Sequence, residues 1–118
     1  LRDSEGQLNE HDFQLTVRKW LNDRYHPRGV WWPNTTGYGD SHHDPFGGVG
    51  AGDIIGCLCG RWVEIELKVK RGRVSERQAM RRVLVRKCGG VYEVVWLVDG
   101  WQELLADVLD RVEGDSHE

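Results

Sequence analysis

The chain has 118 residues, 39% hydrophobic and 30% charged, with a net charge of −3. That composition fits one globular domain with a single core rather than a disordered chain, and no apolar run approaches the roughly 20 residues that span a bilayer. Cys57, Cys59 and Cys88 are too few and odd in number for a disulfide-stapled extracellular scaffold, and the opening LRDSEGQLNE has no apolar stretch of the secretory kind, so a soluble cytoplasmic protein is expected.

Residues 8–25, LNEHDFQLTVRKWLNDRY, set Leu8, Phe13, Leu15, Val17, Trp20 and Leu21 at mostly helical spacing, with Asn9 as the cap, and predict an amphipathic helix. GVWWP at 29–33 predicts a short strand ended by Pro33, with Trp31 and Trp32 on opposite faces and one of them exposed. A glycine-rich loop follows from Asn34 to Gly52, carrying SHHD at 41–44; at 19 residues it is longer than most connections, as functional or mobile loops are. DIIGCLC and RWVEIELKVK predict two strands joined as a hairpin at Gly60. Ser75, with Gln78 three residues on, has the form of a capping box and opens a helix to about Arg86 that ends near CGG. VYEVVWLVD at 91–99 reads as a strand buried on both faces, and WQELLADVLDRV as a last helix before a frayed tail, 113–118. Trp20, Trp62 and Trp96 are assigned to the core. The order helix, three strands, helix, strand, helix predicts an α/β fold: a small mixed sheet flanked by helices, in one domain over 1–118 with its core at about 8–112.

Within VEIELKVKRG, at 63–72, strand geometry puts Glu64, Glu66, Lys68 and Lys70 on one face and Val63, Ile65, Leu67 and Val69 on the other. Plain solvated alternation accounts for such a pattern. A second reading comes from Asp53, which begins the preceding strand after GVGAG and which a hairpin brings beside Glu66. Oxygen ligands from Asp and Glu hold Mg²⁺ while leaving water in its shell, and a lysine two residues from Glu66 can orient that water or offset phosphate charge. Other readings are Asp53 as a turn residue after glycine, Gln78 as a helix cap, and Glu10 as a first-turn acid favoured by the helix dipole. Glu64 is read as solvated or paired to Lys or Arg, and Gln14, one turn after Glu10 on the same helix face, as a surface residue before a secondary residue of the site.

Charge is distributed unevenly. Between Lys68 and Lys87 there are nine Lys or Arg against Glu76 alone, whereas from Gln102 onward there are six acids against Arg111. A local basic surface matters more to a phosphate backbone than the total charge does, which points to Lys70, Arg71, Arg73 and Arg77 as phosphate contacts. Arg81 and Arg82 read as ordinary solvated charges. His42 and His43 with Cys57 and Cys59 do not follow the usual spacing of structural zinc.

The ordered set Glu10, Asp53, Glu66-Leu67-Lys68 and Gln78, with Glu10-His11-Asp12-Phe13-Gln14 at the first helix, resembles the PD-(D/E)XK nuclease superfamily and, within it, the small stand-alone members of the VRR-NUC family. The resemblance runs from Glu10 to about Asp99. It implies a restriction-endonuclease-like α-β-β-β-α-β core and an endonuclease dependent on Mg²⁺ or Mn²⁺ that acts as a homodimer on branched DNA such as a four-way junction. By the same resemblance Asp53, Glu66, the Leu67 carbonyl and Glu10 are metal ligands, Lys68 is the catalytic lysine and Gln78 the motif glutamine. One departure stands out: Gly52 occupies the place of the proline before the aspartate.

Overall fold

Four short strands, each with apolar residues at alternate positions, form the centre of the computed structural model, which describes residues 9–34, 50–69 and 72–115. They are β1 (Gly29–Pro33), β2 (Ile54–Leu58), β3 (Arg61–Lys68) and β4 (Val91–Trp96), hydrogen-bonded in that order. The pairs β1–β2 and β2–β3 are antiparallel, and β3–β4 is parallel. A parallel pair needs a crossover, here the helix α2 (Glu76–Lys87), while α1 (Glu10–Tyr25) precedes the sheet and α3 (Trp101–Asp115) follows it. The result is the expected mixed sheet flanked by helices.

Register decides which residues meet. Ile54 lies opposite Ile65, Gly56 opposite Val63, and Val91 and Val95 opposite Val63 and Leu67, so these share one face of the sheet. Phe13, Val17, Leu21 and Tyr25 of α1 and Trp101, Leu105, Leu109 and Val112 of α3 cover that face and close a single core with it. Gly56 is required there, because a Cβ would fall 2.3 Å from Cε3 of Trp31. The two helices are tied at their outer ends: Asp110 accepts from Arg24 Nη2 at 2.7 Å and from the Tyr25 hydroxyl at 2.8 Å.

The opposite face carries the charges of β3, and α2 lies over it. The solvated reading of that face does not hold: Glu64 is 0% exposed and Glu66 5%. Other expectations also need revision. Trp62 and Trp96 are exposed rather than core residues, since Trp62 sits near the start of β3 and Trp96 at the end of the edge strand β4, whereas Trp101 is buried. Trp31 packs on the core and Trp32 is exposed, as their alternation requires. In β4, Val91, Tyr92 and Val95 are buried, but Glu93 and Val94 are only half-buried, as befits an edge strand. Helix α3 runs on to Asp115, past the expected fraying point, because Val112 still packs into the core. All three cysteines are free, and no helix among the described residues is long and apolar enough to cross a membrane.

Candidate active site

Asp53 stands one residue before β2, and the pairing of Ile54 with Ile65 brings it level with Glu66. Its Oδ2 accepts the Leu67 amide at 2.7 Å, which fixes the carboxylate against β3. The peptide around it is held from two further directions. The Asp53 carbonyl accepts from Gln14 Nε2 of α1 at 3.1 Å and from the Asn34 amide at 2.8 Å, and Asn34 Nδ2 donates to the Gly52 carbonyl at 2.8 Å. Gln14 is therefore a support for Asp53 and not a surface residue; its place one turn after Glu10 was the available signal. Asn34, at the close of β1, had none.

Glu66 is the most perturbed acid of the site. Burial pushes its carboxyl up, and the neighbouring Asp53 adds to this through its charge and a hydrogen bond; Lys68 opposes the shift and Glu10 reinforces it, with the net result at about 8. Two carboxylates so close favour a shared proton or a cation between them. Lys68 Nζ lies 3.9 Å from Glu66 Oε1, and both side chains are largely buried. The same Glu66 oxygen accepts from Gln78 Nε2 at 2.8 Å.

Gln78 combines the two roles that its sequence position left open. Its amide donates to Ser75 Oγ at 3.1 Å while its Oε1 accepts the Ser75 amide at 3.0 Å, which completes the capping box of α2. Its Nε2 is then left to hold Glu66. One side chain thus starts the helix and orients a site carboxylate.

Glu10, the first residue of α1, lines a cleft of about 300 Å³ with His11, Gln14, Asn34, Asp53 and Leu67. This brings all five residues of the ordered set to one region: Asp53, Lys68 and Gln78 each neighbour Glu66, and Glu10 lines the cleft together with Asp53. His11 enters the same cleft without having been singled out in the sequence.

Glu64 does not belong to the ligand set. Its Oε1 accepts from the Gly52 amide at 3.1 Å and from Arg81 Nε at 3.1 Å; its Oε2 accepts from Trp62 Nε1 at 2.7 Å and Arg81 Nη2 at 2.8 Å. Burial pushes the Glu64 carboxyl up, but the bonds from Arg81, Trp62 and the Gly52 amide outweigh it and the net shift is downward. The solvated reading of Arg81 is thereby corrected, since its guanidinium lies against a buried carboxylate. A proline would not fit at Gly52, since its N–H is in use and a Cβ there would lie 2.8 Å from the backbone of Ile65.

Arg73 and Arg77 are exposed. Lys70, Arg71, His42 and His43 lie outside the described residues. Among the described residues, no group of three or more His, Cys, Asp or Glu converges as a metal-binding cluster. Magnesium is usually held by one or two carboxylates and completed by water and substrate oxygens, so the pair of half-buried Asp53 and buried Glu66 with an adjacent open cleft fits it. It does not fit a structural zinc site, which needs four protein ligands.

No protein-family model, curated protein or solved structure matches the chain.

Proposed function

We propose that the chain is a metal-dependent endonuclease of the PD-(D/E)XK type, of the VRR-NUC kind, that hydrolyses phosphodiester bonds in branched DNA as a homodimer in the cytoplasm of a bacterial or phage-infected cell. The observation that carries this reading is the pair Asp53 and Glu66, held together in a largely buried setting with Lys68 beside it and Gln78 on Glu66. The element order and the antiparallel, antiparallel, parallel strand pairing support a restriction-endonuclease-like topology for the core.

Asp53 and Glu66 would hold Mg²⁺ or Mn²⁺, with the Leu67 carbonyl and Glu10 as further oxygen donors. When bound, the cation activates water and offsets charge on the phosphoryl oxygens. The chain's own residues do the rest. Gln78 fixes the orientation of Glu66, and the Leu67 amide with Gln14 and Asn34 fixes Asp53. Lys68 offers a positive ammonium group at the edge of the pair, where it orients the attacking water or stabilises phosphate charge. Lys70, Arg71, Arg73 and Arg77 bind the backbone of the DNA, contacts that position it without reading its bases. For the homodimer, the exposed rings of Trp32 and Trp62, which meet edge to face at 6.3 Å, offer an apolar surface, and two symmetric sites suit paired nicks on a branched substrate.

The test is cleavage of labelled four-way, flap, single-stranded and linear duplex DNA of matched sequence, with Mg²⁺, Mn²⁺ or chelator. Symmetric metal-dependent nicking of the four-way junction supports the resolvase reading. Preference for a flap, a single strand or linear duplex keeps the nuclease and changes the substrate. Binding of DNA with no cleavage under any metal rejects the enzyme in favour of a binding module.

A further inference from the structure

We infer that Glu64 and Arg81 are positioning residues of the Asp53–Glu66 site: an ion pair with a fully buried carboxylate and a part-buried guanidinium that ties together, through that carboxylate, β3, α2 and the segment that leads into β2. The inference rests on the metal reading above and adds to it two residues outside the resembled motif.

The geometry is specific. Glu64 is two residues before Glu66 and therefore on the same face of β3. Arg81 follows Gln78 by three residues, so both project from one side of α2. Gly52 directly precedes Asp53. The carboxylate of Glu64 receives all of these connections at once, from the Gly52 amide at 3.1 Å, from Arg81 at 2.8 and 3.1 Å, and from Trp62 at 2.7 Å. Tyr92 of β4 adds a fourth support, its hydroxyl donating to the Gly50 carbonyl at 2.9 Å.

Stability alone is a poor reason for such a pair. Removing two charges from water costs free energy that their attraction only partly returns, and apolar residues of similar volume commonly serve as well or better. An apolar pair, however, could not accept the Gly52 amide or hold α2 in a fixed azimuth over β3. Four donors also saturate the Glu64 oxygens, so Glu64 is excluded as a ligand and remains a brace. Loss of a residue that orients a metal's ligands typically weakens metal affinity about 10- to 100-fold, and that range is expected here.

The experiment is Mn²⁺ binding by calorimetry to the full chain as parent, Glu64→Gln, Arg81→Lys and the remote core variant Leu109→Ala, each at a temperature where circular dichroism reports it folded. The expected result is a dissociation constant raised about 10- to 100-fold in Glu64→Gln and Arg81→Lys, and unchanged in Leu109→Ala despite its lower melting temperature. Arg81→Lys keeps the charge and loses the two-pronged contact, so it carries the test should Glu64→Gln not fold. Parental affinity in the pair variants overturns the inference and leaves the metal site standing. Equal weakening in Leu109→Ala also overturns it, by reducing the effect to general stability. A parent that binds no Mn²⁺ overturns the metal reading itself and this inference with it.

Discussion

Substituting Gln78 separates the two contacts that this side chain makes. In the parent, Oε1 closes the capping box on the Ser75 amide at 3.0 Å, and Nε2 donates to Glu66 Oε1 at 2.8 Å. Alanine removes both. The cap contact contributes on the order of 0.5–1 kcal/mol and the bond to the Glu66 carboxyl about 1 kcal/mol, more when that group is ionised, so Gln78→Ala costs roughly 2 kcal/mol. Gln78→Glu behaves differently, because glutamate serves the capping box as well as glutamine does. It places an oxygen where the Nε2 donor stood, against a carboxyl pushed up to about 8. At pH 5.5 a protonated Glu66 donates to the introduced carboxylate and the substitution costs little. At pH 8.5 two anions face each other, with a repulsion of up to about 4 kcal/mol at the effective dielectric of a protein surface. Urea denaturation of parent and both variants at the two pH values, without divalent cation, measures this. A cost for Gln78→Glu that does not grow with pH would refute the contact with Glu66 and leave Gln78 as a helix cap only.

The raised Glu66 has its own consequence for the metal-free chain. Between the ordinary glutamate value of 4.5 and about 8, the folded state holds a proton that the unfolded state has released, so stability present below 4.5 is lost as pH rises through 8. Thermal melts in chelator should show that decline, Glu66→Gln should flatten it, and Mn²⁺ should raise the melting temperature more at pH 8 than at pH 5.5; a flat or rising profile in the parent contradicts it. Gly56→Ala forces a Cβ to within 2.3 Å of the Trp31 ring and should cost about 1–3 kcal/mol of unfolding free energy, read from denaturant midpoints at constant slope. Gly52→Pro removes the amide that Glu64 accepts and adds a Cβ 2.8 Å from Ile65. It should destabilise by at least about 1–3 kcal/mol for the buried acceptor alone, and a parental midpoint would show that the Gly52–Glu64 bond contributes nothing.

Local chemistry made much of this legible in the sequence. Pro33 and the alternation of Gly29–Pro33 set β1, Ser75 and Gln78 set the start of α2, and the hairpin through Gly60 put Asp53 beside Glu66. Alternation tells which residues share a face, however, and not what covers that face. The burial of Glu64 and its pairing with Arg81 depend on where α2 docks, which no local pattern encodes. Trp20 packs against the core as hydrophobicity favours, but Trp62 and Trp96 do not, because they sit where β3 begins and the edge strand ends. Asn34 acts through the backbone of residues far away in the chain, so only the folded geometry gives it a role, whereas Gln14 is legible only by its place one turn after Glu10.

Single-turnover cleavage of a labelled four-way junction with Mg²⁺ or Mn²⁺ by the parent, Asp53→Asn and Lys68→Ala, each verified as folded, decides whether the Asp53–Glu66 pair is the catalytic centre. Metal-dependent nicking by the parent is expected, with no detectable cleavage by Asp53→Asn and a rate lowered at least about 100-fold in Lys68→Ala. Cleavage by Asp53→Asn at the parental rate would contradict that role, because the site would then lie elsewhere in the molecule.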